Sequence, residues 1–273
     1  MRIAIQGIEG CFHQIAANKY FGRHVDVLPC LTFDELVRNV YDQKDCELGI
    51  MAIENSIAGS LLQNYRLLQD NELKIIGETF LRIDQHLIAP KGTQINDIKE
   101  IHSHPMAIYQ CDEFLNTMND IRLIEKEDTA LSVKNLAENP NNIIKAAIGS
   151  DLAAEIYGME VIRRSIETNK KNYTRFLIIS KEHNSDLENT NKSSMYIVVH
   201  HTKGSLAKVL DIIAKHNINL SKLQSFPIIG SDWQYYFHLD LEYDRYEDFK
   251  NAKDQIEDYT QDIIVLGNYK KGE

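Results

Sequence analysis

The 273-residue sequence lacks any uninterrupted apolar run that approaches the roughly 18 residues needed for a membrane-spanning helix. Its first residues, Met1 to Gly7, have the pattern of a short strand, not the charged and then apolar pattern of a secretion signal. We therefore expect a cytoplasmic protein.

Cysteines are few, and their spacing provides no recognisable framework. The sequence has no Cys-x-x-Cys pair and no histidine at zinc-finger spacing, so neither a disulfide scaffold nor a structural metal is indicated. His102 with His104, and His200 with His201, have no further ligands nearby in the sequence. We expect reduced thiols and no metal. The cysteines are Cys11, Cys30, Cys46 and Cys111.

Basic residues are also in short supply, because 30 Lys and Arg stand against 40 Asp and Glu, a net charge of −10. Nucleic-acid affinity comes mainly from clustered Lys and Arg, so this balance argues against a nucleic-acid partner. An anionic ligand would have to be captured by a local site that works against the overall field. The length itself indicates about two domains.

The first two-thirds of the chain alternates apolar runs with amphipathic segments. This rhythm is typical of helices packed on a mainly parallel sheet. Leu48 to Ile53 is an apolar run followed by Glu54-Asn55-Ser56, and open α/β sheets place ligand sites at such strand ends. A single helix is predicted from His104 to Met118, with Pro105 in its first turn.

The last third has a different pattern. Lys181 to Lys192 has one apolar residue in twelve, which predicts a linker. The following segment predicts the order β-α-β-β-α-β of a ferredoxin-like domain. In one strand, polar positions from Gln234 to Glu242 alternate with apolar ones, which predicts a single buried face. The apolar positions are Trp233, Tyr235, Phe237, Leu239 and Leu241.

Four stretches carry residue types that could do chemistry, and each also has a purely structural interpretation. Gly7 to His13 could cradle an anion or form a tight turn. Glu54-Asn55-Ser56 could bind a carboxylate or cap a helix. Ser103 and Gln110 could bind a ligand, or Ser103 could cap and Gln110 lie on the surface. The segment from Arg163 to Arg175 has five basic residues and one acid, and could draw in an anion or be a solvated face.

Several of these stretches together resemble one family. Asn172 to Phe176 resembles the Thr-Arg-Phe motif of prephenate dehydratases. Ala52 to Gly59 is similar to that family's Pro-Ile-Glu-Asn-Ser-x-x-Gly segment, and Ser103 to Cys111 to its Ser-His-Pro-Gln-Ala-Leu-x-Gln-Cys segment. Thr129-Ala130 and Ala146 to Ser150 follow in the expected order, and the C-terminal part resembles an ACT domain.

The resemblance implies an α/β fold with a two-lobed catalytic domain like the type II periplasmic binding proteins, followed by a ferredoxin-like ACT domain. It places the catalytic domain at residues 1–181, with one lobe at about 1–77 and 162–181 and the other at about 78–161. The linker would cover residues 182–192 and the regulatory domain residues 193–273.

The resemblance also implies a reaction: conversion of prephenate to phenylpyruvate, water and CO2, driven by aromatisation and needing no cofactor or metal. Thr174 would be the catalytic residue that donates to the departing hydroxyl, and Arg175 would pair with a carboxylate. The remaining implied substrate-binding residues are Glu54, Asn55, Ser56, Ser103, Gln110, Thr129 and Phe176.

Regulation and assembly are further implications. L-phenylalanine would bind the C-terminal domain as a feedback inhibitor, at Gly204, Ser205, Leu206, Ala207, Gln224 and Ser225. The chain would form a homodimer or a homotetramer, with no nucleic acid and no membrane as a partner. Two alternatives stay open: arogenate dehydratase, and a non-catalytic amino-acid sensor with the same fold.

Some positions depart from the family pattern. In the first loop, Ile8, Cys11 and His13 stand where Pro, Thr and Ser are usual, so the two hydroxyl groups of the family pattern are replaced by a thiol, which is a weak donor, and an imidazole. Met106 replaces a Gln. The regulatory Glu-Ser-Arg-Pro segment is present as Gln224-Ser225-Phe226-Pro227, without either charge.

Overall fold

The computed structural model describes residues 2–22, 24–139, 144–182, 186–228, 230 and 234–272. In these ranges no helix has both the length and the apolar character needed to cross a membrane. The same ranges contain no group of three or more His, Cys, Asp or Glu residues that could hold a metal ion. Trp233 and residues 183–185 of the predicted linker lie outside the described residues.

The chain groups into two compact units. Unit 1 comprises Met1–Leu67 and Thr79–Phe176, and unit 2 comprises Leu68–Glu78 and Leu177–Glu273. The predicted domain ends at residues 181 and 193 stay predictions.

Strands and α-helices alternate along most of the described chain. The strands are β1 (Arg2–Gln6), β2 (Asp26–Cys30), β3 (Leu48–Asn55), β4 (Gly59–Ser60), β5 (Lys74–Arg82), β6 (His86–Ala89), β7 (Glu100–Ser103), β8 (Arg122–Glu125), β9 (Lys145–Gly149), β10 (Glu160–Arg163), β11 (Tyr173–Ser180), β12 (Lys192–Val199), β13 (Asn219–Pro227), β14 (Tyr235–Glu242) and β15 (Thr260–Tyr269). The α-helices are α1 (Phe12–Phe21), α2 (Phe33–Asp42), α3 (Leu62–Asp70), α4 (Pro105–Gln110), α5 (Asp112–Leu115), α6 (Thr129–Glu138), α7 (Asp151–Ile156), α8 (Ser205–Lys215) and α9 (Tyr246–Ile256).

Two sheets build the α/β part of the chain. The first has the order β2-β1-β3-β11-β5, in which β1 runs parallel to β2 and β3, and β4 pairs antiparallel with β3. The second has the order β10-β6-β9-β7-β8, with β7 parallel to β8 and β9. Buried aliphatic runs such as Ile50 to Ile53 in β3 suit strands that are covered on both faces.

The single helix predicted from His104 to Met118 is wrong, because the segment forms two short helices, α4 and α5. Cys111 separates them with φ −111° and ψ 17°, and its backbone N–H bonds three residues back to Ile108 O. The buried thiol of Cys111 holds this break inside the apolar core of the second sheet. Gln110 therefore ends a helix instead of lying within one.

Unit 2 contains the predicted β-α-β-β-α-β order. Strands β12 to β15 form an antiparallel sheet in the order β13-β14-β12-β15, the ferredoxin-like arrangement. Met195, Val209, Leu239 and Phe249 belong to the core between this sheet and helices α8 and α9. Burying these side chains is what holds the helices against the sheet.

The prediction that β14 has a single buried face is wrong. Tyr236, His238 and Asp240, expected on the polar face, are buried, and His238 Nε2 lies 2.9 Å from Asp240 Oδ1. The first half of β5 supplies another buried partner in unit 2, because Glu78 accepts a 2.9 Å bond from Lys192 Nζ. Lys192 is the buried first residue of β12.

Candidate functional site

A cavity of about 430 Å³ in unit 1 collects most of the chemistry-bearing residues; we call it the Thr174 cavity. The ends of β1 and β3, the strand β11 and the starts of α1, α4 and α6 all reach it. Its polar lining consists of Gln6, Cys11, His13, Asn55, Gln85, His104, Gln110, Glu127, Asp128, Thr129 and Thr174. Its apolar lining includes Phe12, Phe33, Ala52, Ile83, Met106 and Phe176.

Strand β11 places two of its side chains in this cavity. Thr174 and Phe176, 7% and 1% exposed, both line it. Successive side chains of a strand point to opposite faces. Arg175 lies between them, is 6% exposed and is not part of the lining.

Asn55 at the end of β3 fixes the orientation of the Thr174 hydroxyl. Its Oδ1 accepts bonds from the backbone N–H groups of Ile57 and Ala58, each at 2.9 Å. Because a backbone N–H can only donate, the Nδ2 of Asn55 must face the other way. This Nδ2 lies 2.9 Å from Thr174 Oγ1 and 2.7 Å from Asn172 Oδ1. Since Thr174 Oγ1 accepts that bond, its own hydrogen is available for another group.

The same polarity continues to Gln110. Asn172 accepts from Asn55, so its Nδ2 is the end that donates to Gln110 Oε1, at 3.0 Å. Gln110 is thereby left with its Nε2 donor for a ligand. This series of hydrogen bonds starts at the backbone N–H groups of Ile57 and Ala58. It leaves the Thr174 hydroxyl and the Gln110 Nε2 as hydrogen-bond donors for the cavity.

His13 and Cys11 add two uncharged groups. Burial lowers the pKa of His13 to about 3, and its Nε2 accepts a 3.3 Å bond from the N–H of Ala52. The ring packs edge-on against Phe176, with the centroids 5.0 Å apart. Burial also raises the pKa of the Cys11 thiol to about 12. The imidazole is therefore neutral and the thiol protonated at physiological pH, so this pair makes a poor base and a poor nucleophile.

One side of the cavity is acidic. Asp128 caps α6, because its Oδ1 accepts a 2.8 Å bond from the N–H of Leu131. Burial raises the pKa of Asp128, while bonds from the Leu131 and Ala130 N–H groups act in the opposite direction. Glu127 lies next to it and is exposed. Among the described residues that line the cavity, none is Lys or Arg.

Sequence reasoning missed Gln85, which lines the cavity between β5 and β6 and is 3% exposed. A polar residue between two predicted strands is usually a surface loop residue, so no local signal distinguished it. Asp128 was missed for a related reason, since an Asp before a helix suggests only a cap.

Several predicted substrate-binding residues lie outside the lining. Ser56 Oγ accepts from Tyr173 N–H at 2.9 Å and donates to Lys171 O at 3.1 Å, which ties β3 to the start of β11. Ser103 Oγ donates to Ile148 O at 2.8 Å and so links β7 to β9. The predicted residues that do line the cavity are Asn55, Gln110, Thr129, Thr174 and Phe176, and those that do not are Glu54, Ser56, Ser103 and Arg175.

The basic segment from Arg163 to Arg175 does not supply a cation to this cavity. Lys170 Nζ instead donates to the backbone oxygens of Ser165 and Glu167. Arg164 lies 3.8 Å from Asp151. Lys170 and Arg164 are therefore in contact with groups outside the Thr174 cavity.

Unit 2 has a separate cavity of about 590 Å³ at the start of α8, which we call the Gly204 cavity. Gly204 has a φ of +85° and is the N-cap of α8, and Ser205, Leu206 and Ala207 line the cavity with it. Gln224 and Ser225 lie on the edge strand β13 and are not part of this lining.

The chain is similar to characterised proteins over almost its whole length. The prephenate dehydratase family model matches residues 3–184. The arogenate dehydratase/prephenate dehydratase 2 of Arabidopsis thaliana is 32% identical over 285 residues, covering 98% of this chain and 72% of the relative.

Two solved structures resemble the whole chain. One, described as GqqA, a quorum-quenching acylase, has a TM-score of 0.90 and 29% identity, covering 99% of this chain and 98% of the other. A prephenate dehydratase from Arthrobacter aurescens in complex with L-Phe has a TM-score of 0.86 and 24% identity, covering 99% and 90%. The predicted fold class, a two-lobed α/β part like the periplasmic binding proteins with a ferredoxin-like domain, is confirmed. The family model matches two-thirds of the chain, and the Arabidopsis relative aligns with 98% of it. This chain therefore belongs to the prephenate dehydratase family.

Proposed function

We propose that this chain converts prephenate to phenylpyruvate, water and CO2, with Thr174 as the catalytic residue. The observation that carries the proposal is the Thr174 hydroxyl, whose oxygen accepts from Asn55 so that its hydrogen is free for a ligand. Family membership supports the same reaction.

The reaction breaks two bonds. The bond between the ring and its carboxylate breaks and releases CO2, and the electron pair left on the ring completes the aromatic system. The ring hydroxyl leaves and takes up one proton as water. A hydrogen bond from Thr174 to that hydroxyl stabilises the charge that develops on its oxygen.

The rest of the cavity holds the substrate without a full positive charge. Gln110 offers its Nε2 and Thr129 a hydroxyl, both neutral donors for carboxylates. Neutral donors leave the departing carboxylate less stabilised before the reaction than a buried cation would, which favours its loss. Ser56 ties β3 to the start of β11, the strand that carries Thr174, and Ser103 links β7 to β9.

Arogenate is a second candidate substrate, and the acidic side of the cavity favours it. Arogenate carries an ammonium where prephenate has a keto group, and Asp128 and Glu127 supply negative charge without any Lys or Arg in the described lining. The Arabidopsis relative is named for both activities.

Regulation by L-phenylalanine is part of the proposal. The Gly204 cavity is large enough for an amino acid and opens at a helix start whose N–H groups suit a carboxylate. Pairing of β13 edges between two copies would give a homodimer, and a second interface between two such dimers would give a homotetramer.

The decisive experiment measures phenylpyruvate from prephenate, and phenylalanine from arogenate, with and without added L-phenylalanine. We expect Thr174→Ala to lower kcat by about 10²- to 10⁴-fold. Thr174→Ser keeps the hydroxyl and should retain activity within about tenfold of the wild type.

Three results would contradict the proposal. Near wild-type kcat in Thr174→Ala would remove the role of Thr174. Tight binding of L-phenylalanine without turnover of either substrate would favour the amino-acid sensor. Hydrolysis of an acyl amide in place of dehydration would favour an acylase, for which the Cys11 and His13 pair is poorly suited.

A further inference from the structure

Gln85 is a buried glutamine whose backbone is fixed at both ends. Its N–H donates to Glu167 Oε2 at 3.0 Å, and its carbonyl accepts from Ile166 N–H at 2.7 Å. The side chain lines the Thr174 cavity and is 3% exposed. Its Oε1 has no hydrogen-bond partner among the described residues.

A buried amide oxygen without a partner is costly, because it has given up its bonds to water and gained none in return. Gln14 shows the usual arrangement in the same unit. It is 2% exposed, and its Oε1 accepts a 2.6 Å bond from the N–H of Gly10. The unpartnered amide of Gln85 therefore calls for a group that enters the cavity.

We propose that Gln85 is a substrate-binding residue whose amide oxygen accepts a hydrogen bond from the ring hydroxyl of the substrate. The inference rests on the proposed function and adds a residue to it. The last torsion angle of a glutamine side chain, χ3, has a broad energy minimum, so the Gln85 amide can turn towards the ligand.

The donors and acceptors in the cavity indicate that the substrate's ring hydroxyl is the group that binds Gln85. Thr174 and Gln110 present donors, whereas the Gln85 oxygen is an acceptor. Prephenate at neutral pH carries two carboxylates, a keto group and one hydroxyl, so the hydroxyl is its single donor. Thr174 then donates to the hydroxyl oxygen while Gln85 holds its hydrogen, which orients the leaving group.

The experiment compares Gln85→Met with Gln14→Met, a matched pair of buried glutamines. Removing an unpartnered amide should raise the urea midpoint of the free protein, whereas removing the satisfied amide of Gln14 should lower it. For prephenate, Gln85→Met should lower kcat/KM by about tenfold or more. Gln85→Leu repeats the test with a side chain of different shape.

The outcomes separate this inference from the proposed function. Absence of prephenate and arogenate turnover in the wild type contradicts the proposed function. An active wild type together with unchanged kcat/KM in both Gln85 variants overturns the role of Gln85. A urea midpoint that falls in both Gln85 variants would show that the amide is structural and overturn it as well.

Discussion

At the scale of single residues, Asp128 combines two roles that are usually separate. As a cap it binds the N–H of Leu131, and as a wall residue it places a carboxyl group in a cavity that is proposed to take up an anion. A negative charge there opposes a dianion and attracts an ammonium. We therefore expect a substitution of Asp128 to change the preference between prephenate and arogenate.

Asp128→Asn tests this point, because Asn caps a helix as well as Asp does but carries no charge. We expect the ratio of kcat/KM for arogenate over prephenate to fall by about tenfold, with the fold intact. Steady-state rates with both substrates measure it. Glu125→Gln removes an exposed acid that does not line the cavity and is the control. An unchanged ratio in Asp128→Asn would assign the residue to capping alone.

The sequence was informative for residues whose neighbours form a motif. Asn55, Gln110 and Thr174 were predicted together, and the structure joins them through Asn172. Gln85 was missed because the evidence for its proposed role is an amide oxygen that has no hydrogen-bond partner among the described residues. An unpartnered oxygen is a property of the folded surroundings and leaves no trace in local residue pattern.

At the scale of elements, the first loop is tied to α7. Gly10 has a φ of +88°, and its carbonyl accepts a bond from Ser150 Oγ, the cap of α7. A Cβ added at Gly10 would lie 2.7 Å from the Cα of Ala153. The glycine is thus required both by its conformation and by the close approach of the helix.

Gly10→Ala should therefore destabilise the protein by about 3 kcal/mol or more, since it adds a clash to the strain of a positive φ. Gly22 is the matched control, because it has a φ of +64° and nothing within 4 Å of an added Cβ. Gly22→Ala should cost only about 1 kcal/mol. Urea unfolding measures both; equal costs would mean that α7 yields without penalty.

Periodicity predicted whether most segments are helices or strands, but it did not predict which faces of those elements are buried. The β-α-β-β-α-β order of unit 2 followed from alternation and helical spacing. The buried second face of β14 did not, because Tyr236, His238 and Asp240 have the polar atoms of an exposed face. For His238 and Asp240, burial is accompanied by a hydrogen bond between them that only the folded unit supplies.

At the scale of the whole molecule, acid should weaken the fold before its carboxylates titrate. Burial lowers the pKa of His13 to about 3 and also lowers the pKa of His86. In the unfolded chain these groups take up a proton near pH 6.5, and in the folded chain His13 does not until about pH 3. Stability contributed by neutral His13 is therefore complete above pH 6.5 and lost progressively as pH falls towards 3.

Urea unfolding between pH 7 and pH 5 measures this loss. Below pH 6.5, His13 should contribute about 1.4 kcal/mol per pH unit to the fall in the free energy of unfolding. His13→Gln keeps an acceptor for Ala52 but does not titrate, so its slope should be smaller by that amount. A wild-type slope in His13→Gln would contradict the assignment.

The position of β11 has a consequence for the chain during synthesis. In the first sheet it lies between β3 and β5, although it leaves the ribosome about 90 residues after β5. Until then the two earlier strands have no partner between them, and their edges are open to pairing with another chain. The strand that closes this gap also carries Thr174. A nascent chain is therefore most vulnerable to aggregation up to the point at which it gains its reactive hydroxyl.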